Sequence, residues 1–85
     1  SNKKINFKMV NWNLHIESDP GKLFGKPTII NTRISVDLIL EKLAAGDTVE
    51  DLLAAYPKLT NDDIIACLLF AADSIKNEVI IPKAS

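Results

Sequence analysis

The sequence predicts a mainly α protein: a tri-helical, helix-turn-helix-like bundle with a small N-terminal β-hairpin and a candidate short strand at the C-terminus. Two observations predict this fold. Three apolar stripes at helical spacing follow one another between Ser35 and Lys76, and each begins after a Ser or Thr that can cap a helix. Before them, two short apolar segments are separated by turn residues, as in a hairpin.

The hairpin is predicted from the segment "NWNLHIES", residues 11–18, in which apolar and polar residues alternate. Trp12, Leu14 and Ile16 then share one side of a half-buried strand. The following "DPGKLFGKP" contains two turn signals around the apolar pair Leu23 and Phe24. We therefore expect strands at about residues 11–16 and 28–31.

Each helix has a start signal, and the first two helices also have a stop signal. Ser35, Thr48 and Thr60 are the expected caps, and Gly46 and Pro57 are the expected ends of the first two helices. The apolar stripes are Val36, Ile39, Leu40 and Leu43; then Val49, Leu52, Leu53 and Tyr56; then Ile64, Leu68, Ala71, Ala72 and Ile75. Ile65, Cys67 and Leu69 widen the third stripe, which predicts a helix with more than two neighbours.

The chain has 85 residues, so it can bury one core and is expected to form a single domain over 1–85. Within it we place the hairpin region at 11–34, the bundle at 35–76 and a tail at 77–85. The tail contains "EVIIP", the candidate last strand.

Composition excludes several classes of protein. The chain is 47% hydrophobic with a net charge of −1, which is typical of a globular protein and unlike a strongly basic nucleic-acid binder. It contains no apolar run as long as a membrane span, and its one cysteine has no intrachain partner. We therefore expect a cytoplasmic protein with no membrane contact.

The charges are unevenly distributed along the chain. Residues 1–33 carry six basic and two acidic groups, whereas the remainder carries four basic and nine acidic groups. This division either attracts nucleic acid to the N-terminal part or lets the basic part of one chain meet the acidic part of another.

The residues that carry chemistry do not form a recognisable set. His15 and Glu17 share a face of the predicted strand, where a solvent-facing histidine is the expected role, and Cys67 is expected to be a buried apolar residue. We expect no enzymatic activity, no cofactor and no metal. Trp12 is expected to fill the core or a dimer contact in preference to stacking on a base.

The segment 25–73 closely resembles the bacterial and archaeal family known as domain of unknown function 433. The matching motifs are Gly25-Lys26-Pro27, Thr32-Arg33-Ile34, Leu43-Ala44-Ala45-Gly46, Tyr56-Pro57, Leu59-Thr60 and Ala71-Ala72. Asn31 stands where the family usually has Gly before Thr-Arg. Because Asn tolerates positive φ better than other non-Gly residues, we expect the turn to be kept.

The resemblance implies a homeodomain-like or winged-helix-like fold, and some members of the family serve as VapB-type antitoxins beside PIN-like nuclease toxins. On that basis we expect a non-enzymatic binding module, antitoxin-type or regulatory, that sequesters a protein partner and contacts double-stranded DNA as a homodimer. The alternative is a purely protein-interaction module with no nucleic-acid role.

The candidate nucleic-acid-binding residues are Lys22, Lys26, Thr32, Arg33, Lys58, Thr60 and Asn61. Arg33 either grips a phosphate or fastens the turn to the bundle, and the fastening role is the expected one because no other base adjoins it in sequence. The third helix opens with Asp62 and Asp63, which disfavours reading of the major groove by this helix. The basic hairpin region is the better candidate surface.

A homodimer is also predicted from the pattern itself. Short strands with open edges and a wide apolar third helix leave more apolar surface than one small chain can cover.

Overall fold

The computed structural model describes residues 10–77, and their elements follow the predicted order. A two-stranded antiparallel sheet, β1 (Ile16–Ser18) and β2 (Pro27–Ile29), precedes three helices, α1 (Val36–Ala44), α2 (Val49–Ala55) and α3 (Asn61–Asn77). The predicted mainly α, tri-helical fold with an N-terminal hairpin is confirmed. The predicted strand in the 77–85 tail lies outside the described residues.

The strands are displaced from their predicted positions: β1 overlaps the strand expected at 11–16 only at Ile16, and β2 overlaps the one expected at 28–31 only at Thr28 and Ile29. Trp12–Leu14 instead form a 3-10 turn. The Asn11 side-chain oxygen accepts the Asn13 N–H at 3.1 Å, and this local bond competes with strand pairing. The prediction that Trp12, Leu14 and Ile16 share a buried face was therefore wrong for Leu14, which is 72% exposed.

The three helices begin at the predicted caps. Ser35 Oγ accepts the Leu38 N–H at the start of α1. Thr48 and Asp51 form a reciprocal capping box at α2, in which each side chain accepts the other residue's backbone N–H. Thr60 and Asp63 exchange the same pair of bonds at α3.

The ends of the first two helices are also determined by neighbouring residues. Gly46, at φ 107°, follows α1, where the Asp47 N–H bonds to the Lys42 carbonyl and the Gly46 N–H to the Leu43 carbonyl. This pair of bonds is a Schellman motif, which favours glycine at the left-handed position. Pro57 follows the last residue bonded into α2, Tyr56, whose N–H still reaches the Leu52 carbonyl.

The core lies where the sheet, α1 and α2 meet one face of α3. Within residues 10–77, nine apolar residues are buried: Ile16, Ile29, Val36, Ile39, Leu52, Leu59, Ile64, Ala66 and Cys67. Burial raises the pKa of the Cys67 thiol to about 12, because the thiolate would be desolvated there and would face the Asp63 carboxylate. Cys67 is thus a buried neutral thiol, as the sequence predicted.

The buried face of α3 differs from the predicted one. The predicted stripe included Leu68, Ala72 and Ile75, yet Leu68 is 50% and Ile75 is 72% exposed, and Ala72 is also exposed. The helix instead buries Asp63, Ile64, Ala66 and Cys67. Contacts from the N-terminal segment, residues 10–15, favour this face. Trp12 packs edge-to-face on Phe70 with ring centroids 4.9 Å apart, and its Nε1–H donates to Asp73 Oδ2 at 2.7 Å.

Trp12 therefore packs on α3 of the same chain, in agreement with the core role expected for it.

None of the helices among residues 10–77 is long and apolar enough to cross a bilayer.

Thr28 provides a direct test of the packing around β2. Its side chain is fully buried, and Thr28 Oγ1 makes no hydrogen bond with any group in residues 10–77. Because an unpaired buried hydroxyl costs free energy, we expect Thr28→Val to raise the free energy of unfolding by about 1 kcal/mol, measured by urea denaturation.

Thr32→Val is the matched control. Thr32 Oγ1 donates to the Ile29 carbonyl at 2.8 Å and accepts the Ile34 N–H at 3.0 Å, so this variant is expected to be destabilised. Equal losses in the two variants would show that the Thr28 hydroxyl has a stabilising partner.

Candidate functional site

A groove with a volume of about 610 Å³ brings together four of the seven candidate residues. Lys22, Thr32 and Arg33 come from the hairpin region, and Lys58 comes from the link between α2 and α3. Asn31, Ile34, Ala55, Tyr56 and Pro57 complete the lining among residues 10–77. Residues that are 25 or more positions apart in sequence therefore share one concave surface.

The turn that carries Arg33 is held by its neighbours. Asn31 adopts the left-handed conformation, φ 65°, as predicted for the residue in the family's glycine position. Thr32 closes the turn with its backbone N–H and its hydroxyl, both of which donate to the Ile29 carbonyl. Lys22 Nζ donates to the Thr32 carbonyl at 3.3 Å from the other side.

Arg33 does not have the fastening role that we expected from the sequence. Its side chain is exposed and makes no hydrogen bond or ion pair with any residue from 10 to 77. Thr32 and Lys22 make the bonds that hold the turn, so the guanidinium remains available to a ligand. The prediction was wrong because a nearby threonine supplies the same carbonyl contacts with a shorter side chain.

The charged residues that line the groove are all basic. Lys22 Nζ lies 2.8 Å from Glu17 Oε2 and is partly neutralised. Lys58, like Arg33, is exposed and has no hydrogen-bonding or ionic partner in the described part of the chain. No Asp or Glu between residues 10 and 77 lines the groove, so its potential is positive.

The other three candidates lie elsewhere. Lys26 forms an exposed ion pair with Asp37, 3.1 Å from Nζ to Oδ2, and the Ser35 hydroxyl and Lys26 hold the pKa of that carboxyl below its usual range. The Thr60 hydroxyl caps α3, and Asn61 is the exposed first residue of that helix. None of these three residues lines the groove.

His15 was expected to face solvent on a strand, and this was wrong. It lies after the 3-10 turn, half-buried, with Nδ1 2.8 Å from Oδ1 of Asp63. The same carboxylate accepts the Thr60 N–H at 3.0 Å through Oδ2. The pair thus joins the N-terminal segment to the start of α3 and has a structural role.

The loop between β1 and β2 forms a second exposed surface. Phe24 is fully exposed, and three consecutive residues, Leu23, Phe24 and Gly25, have left-handed backbones with φ of 49°, 59° and 83°. The sequence predicted no role for this apolar pair. Tyr56 was predicted as part of the second helix and of a family motif, but not as a site residue, although it lines the groove.

The described residues contain no cluster of potential metal ligands. Among residues 10–77, no three His, Cys, Asp or Glu side chains are close enough to hold a metal ion. Two of the titratable pairs, His15 with Asp63 and Asp51 with Thr48, join or cap elements of the fold.

Residues 16–71 match the model of the family described as "Protein of unknown function (DUF433)". The chain belongs to the DUF433 family. Every residue lining the 610 Å³ groove falls within this matched segment.

A solved structure supports the assignment. The crystal structure of a DUF433 member protein from Anabaena variabilis ATCC 29413 is 33% identical to this chain and superimposes with a TM-score of 0.65. The match covers 74% of this DUF433 chain and 65% of that protein, so this chain spans less than two thirds of its relative's length. No curated protein matches the chain.

Proposed function

We propose that this DUF433 chain is a non-enzymatic binding module of the antitoxin or regulatory type, which sequesters a protein partner and contacts DNA as a homodimer. The observation that carries the proposal is the exposed ring of Phe24, which is 102% exposed at φ 59°. Leaving a Phe side chain in water forgoes about 2 kcal/mol of burial. A left-handed backbone at a non-glycine residue costs about a further 1–2 kcal/mol.

Hydrogen bonds within the loop fix the backbone on both sides of Phe24. Asp19 anchors its start, since its side chain accepts the Gly21 N–H and its carbonyl accepts the Lys22 N–H, both at 2.8 Å. Two further backbone bonds close the turn around Phe24, from Gly25 to Lys22 and from Lys26 to Leu23. Exposed aromatic residues often form the centre of a protein interface, and a backbone that is already fixed loses little conformational entropy on binding.

Homodimerisation gives the first accessible test of this surface. We expect the protein to self-associate at micromolar concentrations, and we expect Phe24→Ala to weaken self-association about tenfold or more, measured by sedimentation equilibrium. Because the ring is fully exposed in one chain, the melting temperature of the isolated monomer should change little.

Leu14→Ala is the control, since Leu14 is a 72% exposed apolar residue on a different loop. A strictly monomeric wild-type protein would contradict the homodimer. A dimer weakened equally by both substitutions would contradict the role of Phe24.

The DNA contact is supported by the groove and not by α3. Arg33 and Lys58 carry positive charge that no residue from 10 to 77 neutralises, whereas the first turn of α3 contains two acidic residues, Asp62 and Asp63, and no basic one. We therefore place the DNA backbone at the groove.

The second candidate function is a protein-interaction module with no nucleic-acid role. The exposure of Leu68 and Ile75 on α3 favours it, because these side chains enlarge the apolar surface available to a protein. Titration with duplex DNA at about 50 mM and 200 mM salt separates the two functions. Binding that weakens steeply with salt supports the DNA contact, and no binding at the lower concentration supports the alternative.

A further inference from the structure

We propose that the groove lined by Lys22, Thr32, Arg33, Tyr56 and Lys58 is a binding site for the phosphate of a nucleotide, either free or within nucleic acid. For a phosphate within nucleic acid, the inference rests on the DNA contact of the proposed function. For a free nucleotide, it does not. It is argued from the charge, the rigidity and the size of the groove.

Two unpaired cations face one concave surface. Arg33 is on the turn before α1 and Lys58 is on the link before α3, and neither has a partner among residues 10–77. Field lines converge in a concave surface lined by charges of one sign, so anions concentrate there. Arginine offers a planar fork that matches two phosphate oxygens, and lysine adds a compact charge.

Both sides of the groove are fixed before a ligand arrives. Thr32 holds the Arg33 turn through its two bonds to the Ile29 carbonyl and through the Ile34 N–H. The Leu59 N–H bonds to the Tyr56 carbonyl at 2.9 Å, and Leu59 is buried, which fixes the backbone of the Lys58 link. The binding energy is therefore not spent on ordering the backbone.

The size of the groove indicates a ligand larger than inorganic phosphate. Its volume of about 610 Å³ lies in the usual range for sites that bind small organic molecules, about 300–1,000 Å³. Tyr56, Pro57 and Ile34 supply an apolar wall next to the cations. A sugar or base can pack on this wall while the attached phosphate meets Arg33 and Lys58.

The experiment uses two probes, adenosine diphosphate and a short DNA duplex of arbitrary sequence, each added to the isotope-labelled full chain and followed by amide chemical shifts at low salt. We expect shifts centred on Thr32, Arg33 and Lys58. Arg33→Ala and Lys58→Ala should each weaken binding about tenfold or more. Arg33→Lys should lie between wild type and Arg33→Ala, because it keeps the charge and loses the fork.

Lys76→Ala is the matched control, since it removes one exposed positive charge outside the groove. Thermal melts of every variant verify folding. Binding of the nucleotide alone supports the site and contradicts the DNA contact of the proposed function. Binding of the duplex, with loss in the groove variants only, supports both.

Two results would overturn the inference. The first is the absence of binding by either probe. The second is binding that Lys76→Ala weakens as much as Arg33→Ala, because the protein would then respond only to total charge. Duplex binding of that kind would keep a DNA contact for the protein but contradict its placement at the groove.

Discussion

Replacing Ile64 by Ala is expected to lower the free energy of unfolding by about 3 kcal/mol, because the side chain is 1% exposed at the centre of the core. Leu68→Ala, one helical turn further along α3, should cost less than about 1 kcal/mol, since Leu68 is 50% exposed. The two substitutions remove apolar side chains of equal carbon number from one helix. Their difference therefore measures which face of α3 is buried.

Urea denaturation of both variants, with the slopes compared to verify two-state unfolding, gives the two values. Equal losses at the two positions would mean that α3 is rotated from the orientation described here. A dimer that buries Leu68 would also increase its cost, so the measurement should be repeated at several protein concentrations. Only the monomer value tests the fold.

Replacing Asp63 by Ala should lower the free energy of unfolding by about 2–4 kcal/mol, since one carboxylate serves both the cap of α3 and the link to His15. The residue is 8% exposed, so the groups left without a partner are shielded from water. The substitution removes the acceptor of the Thr60 N–H and the acceptor of the imidazole together.

Asp51→Ala is the matched control for the cap. Asp51 makes the same reciprocal bonds with Thr48 at the start of α2, but it is exposed and contacts no histidine. We expect a clearly smaller loss than for Asp63→Ala.

A double-mutant cycle of His15→Ala with Asp63→Ala isolates the long-range bond, with a coupling of about 1 kcal/mol expected. A coupling near zero would show that Asp63 stabilises the protein through the cap alone.

Local signals predicted most of the fold. The caps Ser35, Thr48 and Thr60 and the stop at Gly46 depend on bonds within a few residues, so the sequence contains the information directly. Asn31 is a similar case, because asparagine tolerates positive φ and its left-handed conformation could be predicted from the residue type.

Two of the errors, the buried face of α3 and the role of His15, concern interactions between distant residues, whereas the loss of strand structure at Trp12–Leu14 has a local cause. Apolar residues surround much of α3, so their spacing does not define one buried face, and the choice is made by Trp12, which is 61 positions from its partner Asp73. The bond from His15 to Asp63 spans 48 positions. Neither pair leaves a pattern in a single sequence.

The candidate groove was predicted in part. Basic residues were identified by type, but their grouping depends on how the α2–α3 link packs beside the hairpin region, which no local rule specifies. The sequence therefore identified Lys22, Thr32, Arg33 and Lys58 and also included Lys26, Thr60 and Asn61, which the fold places outside the groove. Tyr56 was missed because its spacing matched a helix stripe.

The N-terminal segment is attached to α3 at two points, Asp63 and Asp73, which lie about 15 Å apart along the helix axis at 1.5 Å per residue. Trp12 is the only tryptophan of the chain and forms one of these attachments. Its fluorescence emission therefore reports detachment of this segment directly. A red shift on heating that precedes the loss of helical circular dichroism would mean that the segment leaves α3 before the helices melt.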